Sequence, residues 1–259
     1  MIPSVELGVG QTGEKTTMSV TELMPQTKAG QLLGYSRMVD ISLVLDQTNF
    51  KMQVLDGFEK DAQFELEVIK PYSSGDGQIV RAVHMRVHAG SHVDAPAHQL
   101  PTGKHIHDLP LERFIGDAIV ADFTDKVPGG AITPEDFEKR IGKKVRKGDR
   151  LLLRTDVNLR YFDMELSEWK ALSPAMTPEA RHWIIDKGIS MVGFDMHHGA
   201  RPKGETRNTS KILPTGGVLT LPYLTNLNQI KQERVTLMCF PLNMINVEAS
   251  PVRAIVLEH

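Results

Sequence analysis

The chain has 259 residues, 41% of them hydrophobic and 24% charged, with 30 Lys+Arg against 32 Asp+Glu. That is enough apolar material for a full core in one domain, while a formal charge of −2 with no basic block argues against a nucleic-acid partner. No apolar run is long enough to cross a bilayer, no signal-peptide pattern is present, and the single cysteine, Cys239, rules out an internal disulfide framework, so the expected setting is cytoplasmic with no membrane partner.

Residues 1–37 are rich in Thr, Gly and Gln, with weak periodicity. They read as an N-terminal extension preceding one domain over 38–259, with at most a short helix around 20–33 interrupted by Pro25. Gly8-Val9-Gly10-Gln11-Thr12-Gly13 superficially matches a dinucleotide fingerprint, but it follows no adequate strand and is rejected. From Met38 onward short apolar runs predict strands over 39–45, 79–88, 118–123, 151–155, 189–194, 217–221, 235–240 and 252–256. In the run at 79–88, Val83, Met85 and Val87 share one face, and His84, Arg86 and His88 the other. Two helices carry clear start signals. Thr133-Pro134-Glu135-Asp136 opens one that stops at Gly142, and Thr177-Pro178-Glu179 opens another that closes at Gly188. Segment 197–215 is the longest stretch without a pattern, and loops of that length are usually functional or mobile. Cys239 reads as a buried small hydrophobe, Trp169 and Trp183 as packing residues, and Leu257-Glu258-His259 as the start of a cloning tag, so His259 is not counted as a ligand.

The densest chemistry lies at 88–98, His-Ala-Gly-Ser-His-Val-Asp-Ala-Pro-Ala-His. His88, His92 and Asp94 share parity, so an extended segment would present all three on one face. Gly90 lets that segment bend and Pro96 ends it. A helix would also align His88 with His92, but Gly90, Val93 and Pro96 oppose it. A surface loop that happens to hold histidines is the plain alternative. Four such groups in eleven positions favour a metal site, and imidazole with carboxylate suits zinc, manganese or iron(II).

His88-x-Gly90-x-His92-x-Asp94-x-Pro96-x-His98 resembles the signature of the cyclase-type metal-dependent hydrolases, a family that includes bacterial kynurenine formamidase and isatin hydrolase. The likeness extends to Val39-Asp40-Ile41-Ser42, Leu151–Thr155, Val192–Asp195 and Ala249–Ala254, so it covers roughly 38–256. It implies an α/β (α+β) fold, a swivelling β/β/α sandwich assembled as a homodimer or homotetramer. It implies His88, His92 and Asp94 as ligands of one divalent ion, Mn or Zn, with His98 as the catalytic histidine. Formamidase-like members hold a second ion with a later histidine and a glutamate. Aligned on Leu224-Thr225-Asn226-Leu227, those positions fall at Ser210 and Pro222, so the resemblance implies a single-ion site.

The expected function is therefore hydrolysis of an amide or lactone bond, often cyclic, in a small aromatic or heterocyclic substrate, with water activated by the ion and His98 as general base. Two alternatives stand beside it: a lyase or cyclase using the same ion, and a non-catalytic small-molecule binder with a degenerate site. His197 and His198 are candidate substrate-binding residues. Glu205 is a loop residue that could restore a ligand, His105 and His107 receive no role, and Arg253 is expected in a structural ion pair.

Overall fold

The computed structural model describes residues 34–46, 64–75, 77–197 and 207–259, apart from the side chains at 161, 162, 166, 207 and 208. The helix expected around 20–33 lies outside these residues, as do His198 and Glu205. The chain divides into Met1–Arg37 with His259 and Met38–Glu258, and the second unit carries the site.

Thirteen strands form among the described residues: β1 (Arg37–Asp40), β2 (Phe64–Lys70), β3 (Val80–Met85), β4 (His92–Asp94), β5 (Ile115–Asp122), β6 (Ala131–Ile132), β7 (Arg150–Arg154), β8 (Ala175–Met176), β9 (Met191–Phe194), β10 (Leu219–Leu221), β11 (Arg234–Met238), β12 (Ala249–Pro251) and β13 (Ile255–Glu258). Nine of them make one mixed sheet in the order β1-β13-β11-β5-β7-β9-β10-β4-β12. Its centre, β5-β7-β9-β10, is parallel, and β11 and β4 flank it antiparallel. Four helices are described: α1 (Pro134–Ile141), α2 (Leu166–Leu172), α3 (Pro178–Asp186) and α4 (Ile212–Thr215).

The parallel centre explains the apolar run Leu151-Leu152-Leu153. A strand covered on both faces needs no polar alternation. Leu152 joins Ala118, Met191 and Leu219 in a core with Val39, Ile41, Val235 and Val256. Leu151 and Leu153 point the other way, into a core with Ile119, Val192, Phe137 and Ile141 of α1 and Ile184 of α3. Each fully buried side chain of this kind contributes roughly 1.5–3 kcal/mol. The two helix starts form as their sequence signals require. Thr133 accepts from Asp136 N at 3.4 Å while its own N–H donates to Asp136 Oδ2 at 3.0 Å, and Thr177 accepts from Ala180 N at 3.2 Å. The second of these helices, α3, ends at Asp186, with Gly188 at φ +71 just beyond.

Several expectations change. The strand expected over 79–88 stops at Met85 and pairs only with β2, a strand the sequence pattern does not reveal. His88 thus lies in a turn rather than on a strand. Of the strand expected over 252–256 only Ile255 and Val256 form, at the start of β13, and Val252–Ala254 separate them from β12. Within 197–215, residues 207–215 are helical rather than structureless. The presumed tag is also structural: Leu257 and Glu258 are buried in β13, and Glu258 accepts from Lys231 N at 2.6 Å and Gln232 N at 2.9 Å. Pro251 sits on β12, an edge strand, where the missing N–H costs no ladder bond.

Candidate metal centre

β4 is three residues long and is held on both sides: Asp94 lies opposite Thr220 of β10 and Ala249 of β12. His92 and Asp94 share parity on it and are buried, at 2% and 6% exposure. His88 reaches them by a bend. Gly90 takes φ +60, a left-handed conformation that disfavours any side chain, and a Cβ there would meet Leu45 Cδ2 at 2.7 Å. The shared face expected for all three residues therefore holds for His92 and Asp94, while His88 arrives through the Gly90 turn.

Three donor atoms converge. His88 Nδ1 is 3.0 Å from Asp94 Oδ1 and 3.3 Å from His92 Nε2, and His92 Nε2 is 3.2 Å from Asp94 Oδ1. Neighbouring ligands of a small ion with bonds of about 2.1 Å stand about 3.0–3.4 Å apart, so the donor set fits such an ion. The outward atoms of the three residues are engaged elsewhere. His92 Nδ1 donates to Gly90 O at 2.8 Å, which leaves Nε2 with its lone pair facing inward. Thr220 Oγ1 donates to Asp94 Oδ2 at 2.8 Å, and His88 Nε2 lies 3.1 Å from Glu248 Oε1. Burial alone would lower the proton affinity of His88, but the Asp94 and Glu248 carboxylates outweigh it and hold its pKa above the usual value. The pocket thus favours positive charge at that place.

His98 follows Pro96 in a short 3-10 turn, its ring 4.3 Å from that of His88. Burial is the largest influence on it and, with the neighbouring histidines, outweighs the raising effect of Asp94 and Glu248, so its pKa lies below the usual value. The neutral imidazole is the form that accepts a proton. Among the described residues two groups of three donors are close enough to share an ion: His88, His92 and Asp94, and a second made of His88, His98 and Glu248.

The family model described as "Putative cyclase" matches residues 39–199. The chain belongs to the cyclase family. Among curated relatives, a kynurenine formamidase of Paracidovorax citrulli is 29% identical over 177 residues, 68% of this chain and 78% of that one. A kynurenine formamidase of Salinibacter ruber is 29% identical over 174 residues, covering 67% and 77%. Two solved structures share the fold. Isatin hydrolase A from Labrenzia aggregata superposes with a TM-score of 0.74 at 24% identity, covering 89% of this chain and 96% of that one. Isatin hydrolase A from Ralstonia solanacearum gives 0.76 at 23%, covering 94% and 99%.

In this cyclase-family chain the positions expected to lack second-ion ligands offer neither imidazole nor carboxylate. Ser210 Oγ instead donates to Gln99 Oε1 at 3.1 Å, beside His98, and Pro222 follows β10. His197 does not join the donor cluster. Its ring stands edge-on to Trp169 at 4.6 Å, and its N–H donates to Ser173 Oγ at 2.9 Å. Trp169 is buried, donates from Nε1 to Asn158 Oδ1 at 2.8 Å and lies 5.4 Å from the Tyr223 ring, which in turn is 5.5 Å from His92. Aromatic packing therefore links the donor cluster to His197. His105 and His107 stack on each other, and His107 Nδ1 accepts from Asn246 N at 3.2 Å, a bond that ties their turn to the segment before β12. Arg253 forms an ion pair with Asp40 at 2.7 Å and is largely exposed.

Sequence reading misses two side chains at this site, Thr220 and Glu248. Neither lies near the signature in the chain, and only the pairing of β10 and β12 with β4 brings them to it. The single available signal for Glu248 is its place directly before Ala249–Ala254.

Proposed function

We propose that this protein is a metal-dependent hydrolase that opens an amide or lactone bond of a small aromatic or heterocyclic substrate. The observation that carries the reading is the convergence of His88 Nδ1, His92 Nε2 and Asp94 Oδ1 within 3.0–3.3 Å of one another, beside a half-buried histidine. The names of the curated relatives, kynurenine formamidases, support amide hydrolysis, and the isatin hydrolase fold is consistent with a cyclic substrate. His88, His92 and Asp94 would hold one divalent ion, manganese or zinc. Bound there, the ion supplies Lewis acidity, polarising a carbonyl and lowering the pKa of water.

His98 is the general base. Burial, with the neighbouring histidines, holds its pKa below the usual value and so favours the neutral form, which would take the proton from the attacking water and return it to the leaving nitrogen or oxygen. His197 and His198 are proposed on the substrate side. For His197 the support is its contact with Trp169, which packs toward Tyr223 and His92. A homodimer or homotetramer is supported by the β2–β3 hairpin. That hairpin pairs with no other strand among the described residues, and Leu66, Val68 and Val83 on one of its faces are 37–51% exposed. An isolated two-stranded hairpin is marginal in water unless such a face is covered. Residues 1–37 are proposed as an extension outside the catalytic domain, and the cytoplasm as the location.

The test is His98→Ala, assayed with manganese or zinc supplied against formanilides, isatins, cyclic imides and lactones. The variant should keep its ion and lose about 10²–10⁴-fold in kcat. Undiminished turnover would remove His98 from this role.

A further inference from the structure

Glu248 has a defined place beside the centre. The register of β12 on β4 sets Ala249 opposite Asp94, and the Glu248 carbonyl accepts from Ala95 N at 2.9 Å. The backbone is thus fixed next to the ligand strand, and the side chain, 40% exposed, rises on the solvent side of His88. Its Oε1 lies 3.1 Å from His88 Nε2, while Nδ1 of the same ring faces His92 and Asp94.

His88 is the donor most in need of such a partner. His92 and Asp94 stand on a strand paired on both sides and have their outward atoms held by Gly90 O and Thr220 Oγ1. His88 stands in the turn before that strand, and its side chain is 25% exposed against 3% and 6% for the other two. An imidazole in a turn can rotate about its side-chain bonds or present the wrong tautomer. A carboxylate on Nε2 prevents both, because it accepts the proton at that nitrogen and leaves Nδ1 with a lone pair. It also adds a second negative charge beside Asp94.

We propose that Glu248 is a positioning residue that acts through His88, orienting the ring and its tautomer so that Nδ1 faces the ion. This rests on the reading that His88, His92 and Asp94 hold a divalent cation. The geometry also defines the competing arrangement, in which Glu248 is itself a ligand with His98 and His88.

Metal-free wild type, Glu248→Ala and Glu248→Gln would each be titrated with Mn²⁺ and with Zn²⁺ by calorimetry against a competing chelator. Thermal unfolding of the metal-free forms would run alongside. Glu248→Ala should bind about 10–100-fold more weakly. Its metal-free unfolding temperature should stay close to wild type, since the side chain is 40% exposed and a pair so open to solvent contributes little to stability. Glu248→Gln keeps an acceptor for the Nε2 proton but loses the charge, so it should fall between the two. A Kd for Glu248→Ala within about threefold of wild type, against the ~10-fold or more expected, would overturn the proposal. So would two ions per wild-type chain dropping to one in Glu248→Ala, which would make Glu248 a ligand. A wild type that binds no ion would instead remove the underlying metal reading.

Discussion

Gly90→Ala perturbs the bend that joins His88 to its two partners. Two costs follow from the geometry. The first is conformational: φ is +60, and a left-handed conformation costs a residue with a Cβ about 1–2 kcal/mol. The second is steric: the new Cβ would stand 2.7 Å from Leu45 Cδ2, and pushing that side chain off its rotamer adds about 0.5–1.5 kcal/mol. Together they predict a loss of about 1.5–3.5 kcal/mol, or roughly 3–14 °C in Tm for a domain of this size. Gly217→Ala separates the two costs. Gly217 has φ +73, and a Cβ added there would meet nothing within 4 Å, so the substitution should show the conformational cost alone. Urea unfolding of the metal-free proteins reads both. The Gly90 variant should also bind its ion more weakly, because Gly90 O is the acceptor that orients His92. If Gly90→Ala were no more costly than Gly217→Ala and left the ion's Kd unchanged, the bend would not be what assembles the centre.

Thr220→Val removes the hydroxyl that holds Asp94 Oδ2 and keeps the side-chain shape, so ion affinity should fall about 10-fold or more by calorimetry with little change in the metal-free Tm. Asp195→Ala should destabilise by about 2–4 kcal/mol in urea unfolding, since the N–H groups of Thr155 and Asp156 and the Thr155 hydroxyl all donate to this buried carboxylate. A loss below 1 kcal/mol, against that ~2–4, would mean the network relaxes onto other acceptors. In oxygen-18 water the product of turnover should carry label at the new carboxyl group. Unlabelled product would point to lyase or cyclase chemistry at the same residues.

The parts of this molecule legible in sequence are those written locally. The His88–His98 spacing, the Thr-Pro helix starts at 133 and 177 and the apolar run at 151–153 each state their structure within a few residues. The donor cluster is therefore visible, although strand parity explains only half of it. Parity aligns His92 with Asp94, but a left-handed glycine delivers His88, and alternation along a strand cannot express a turn. What stays hidden depends on strand pairing across the chain. Glu248 is 160 residues from His88, and Thr220 is 126 from Asp94. Of the β2–β3 hairpin, β3 is legible in the run at 79–88 and only β2 is hidden. Glu65 and Glu67 alternate with apolar residues along a short strand that is mostly exposed, so burial does not anchor the pattern. Glu258 resembles a tag residue only because it stands at the chain end, whereas its buried carboxylate ties the 231–232 turn to the sheet.

The claim on which everything else depends is that His88, His92 and Asp94 hold one ion. Elemental analysis of the purified protein tests it directly, comparing wild type with Asp94→Ala after loading with manganese or zinc and desalting. One ion per chain in wild type and essentially none in Asp94→Ala is the predicted result. Full occupancy in Asp94→Ala, or no retained ion in wild type, would contradict it.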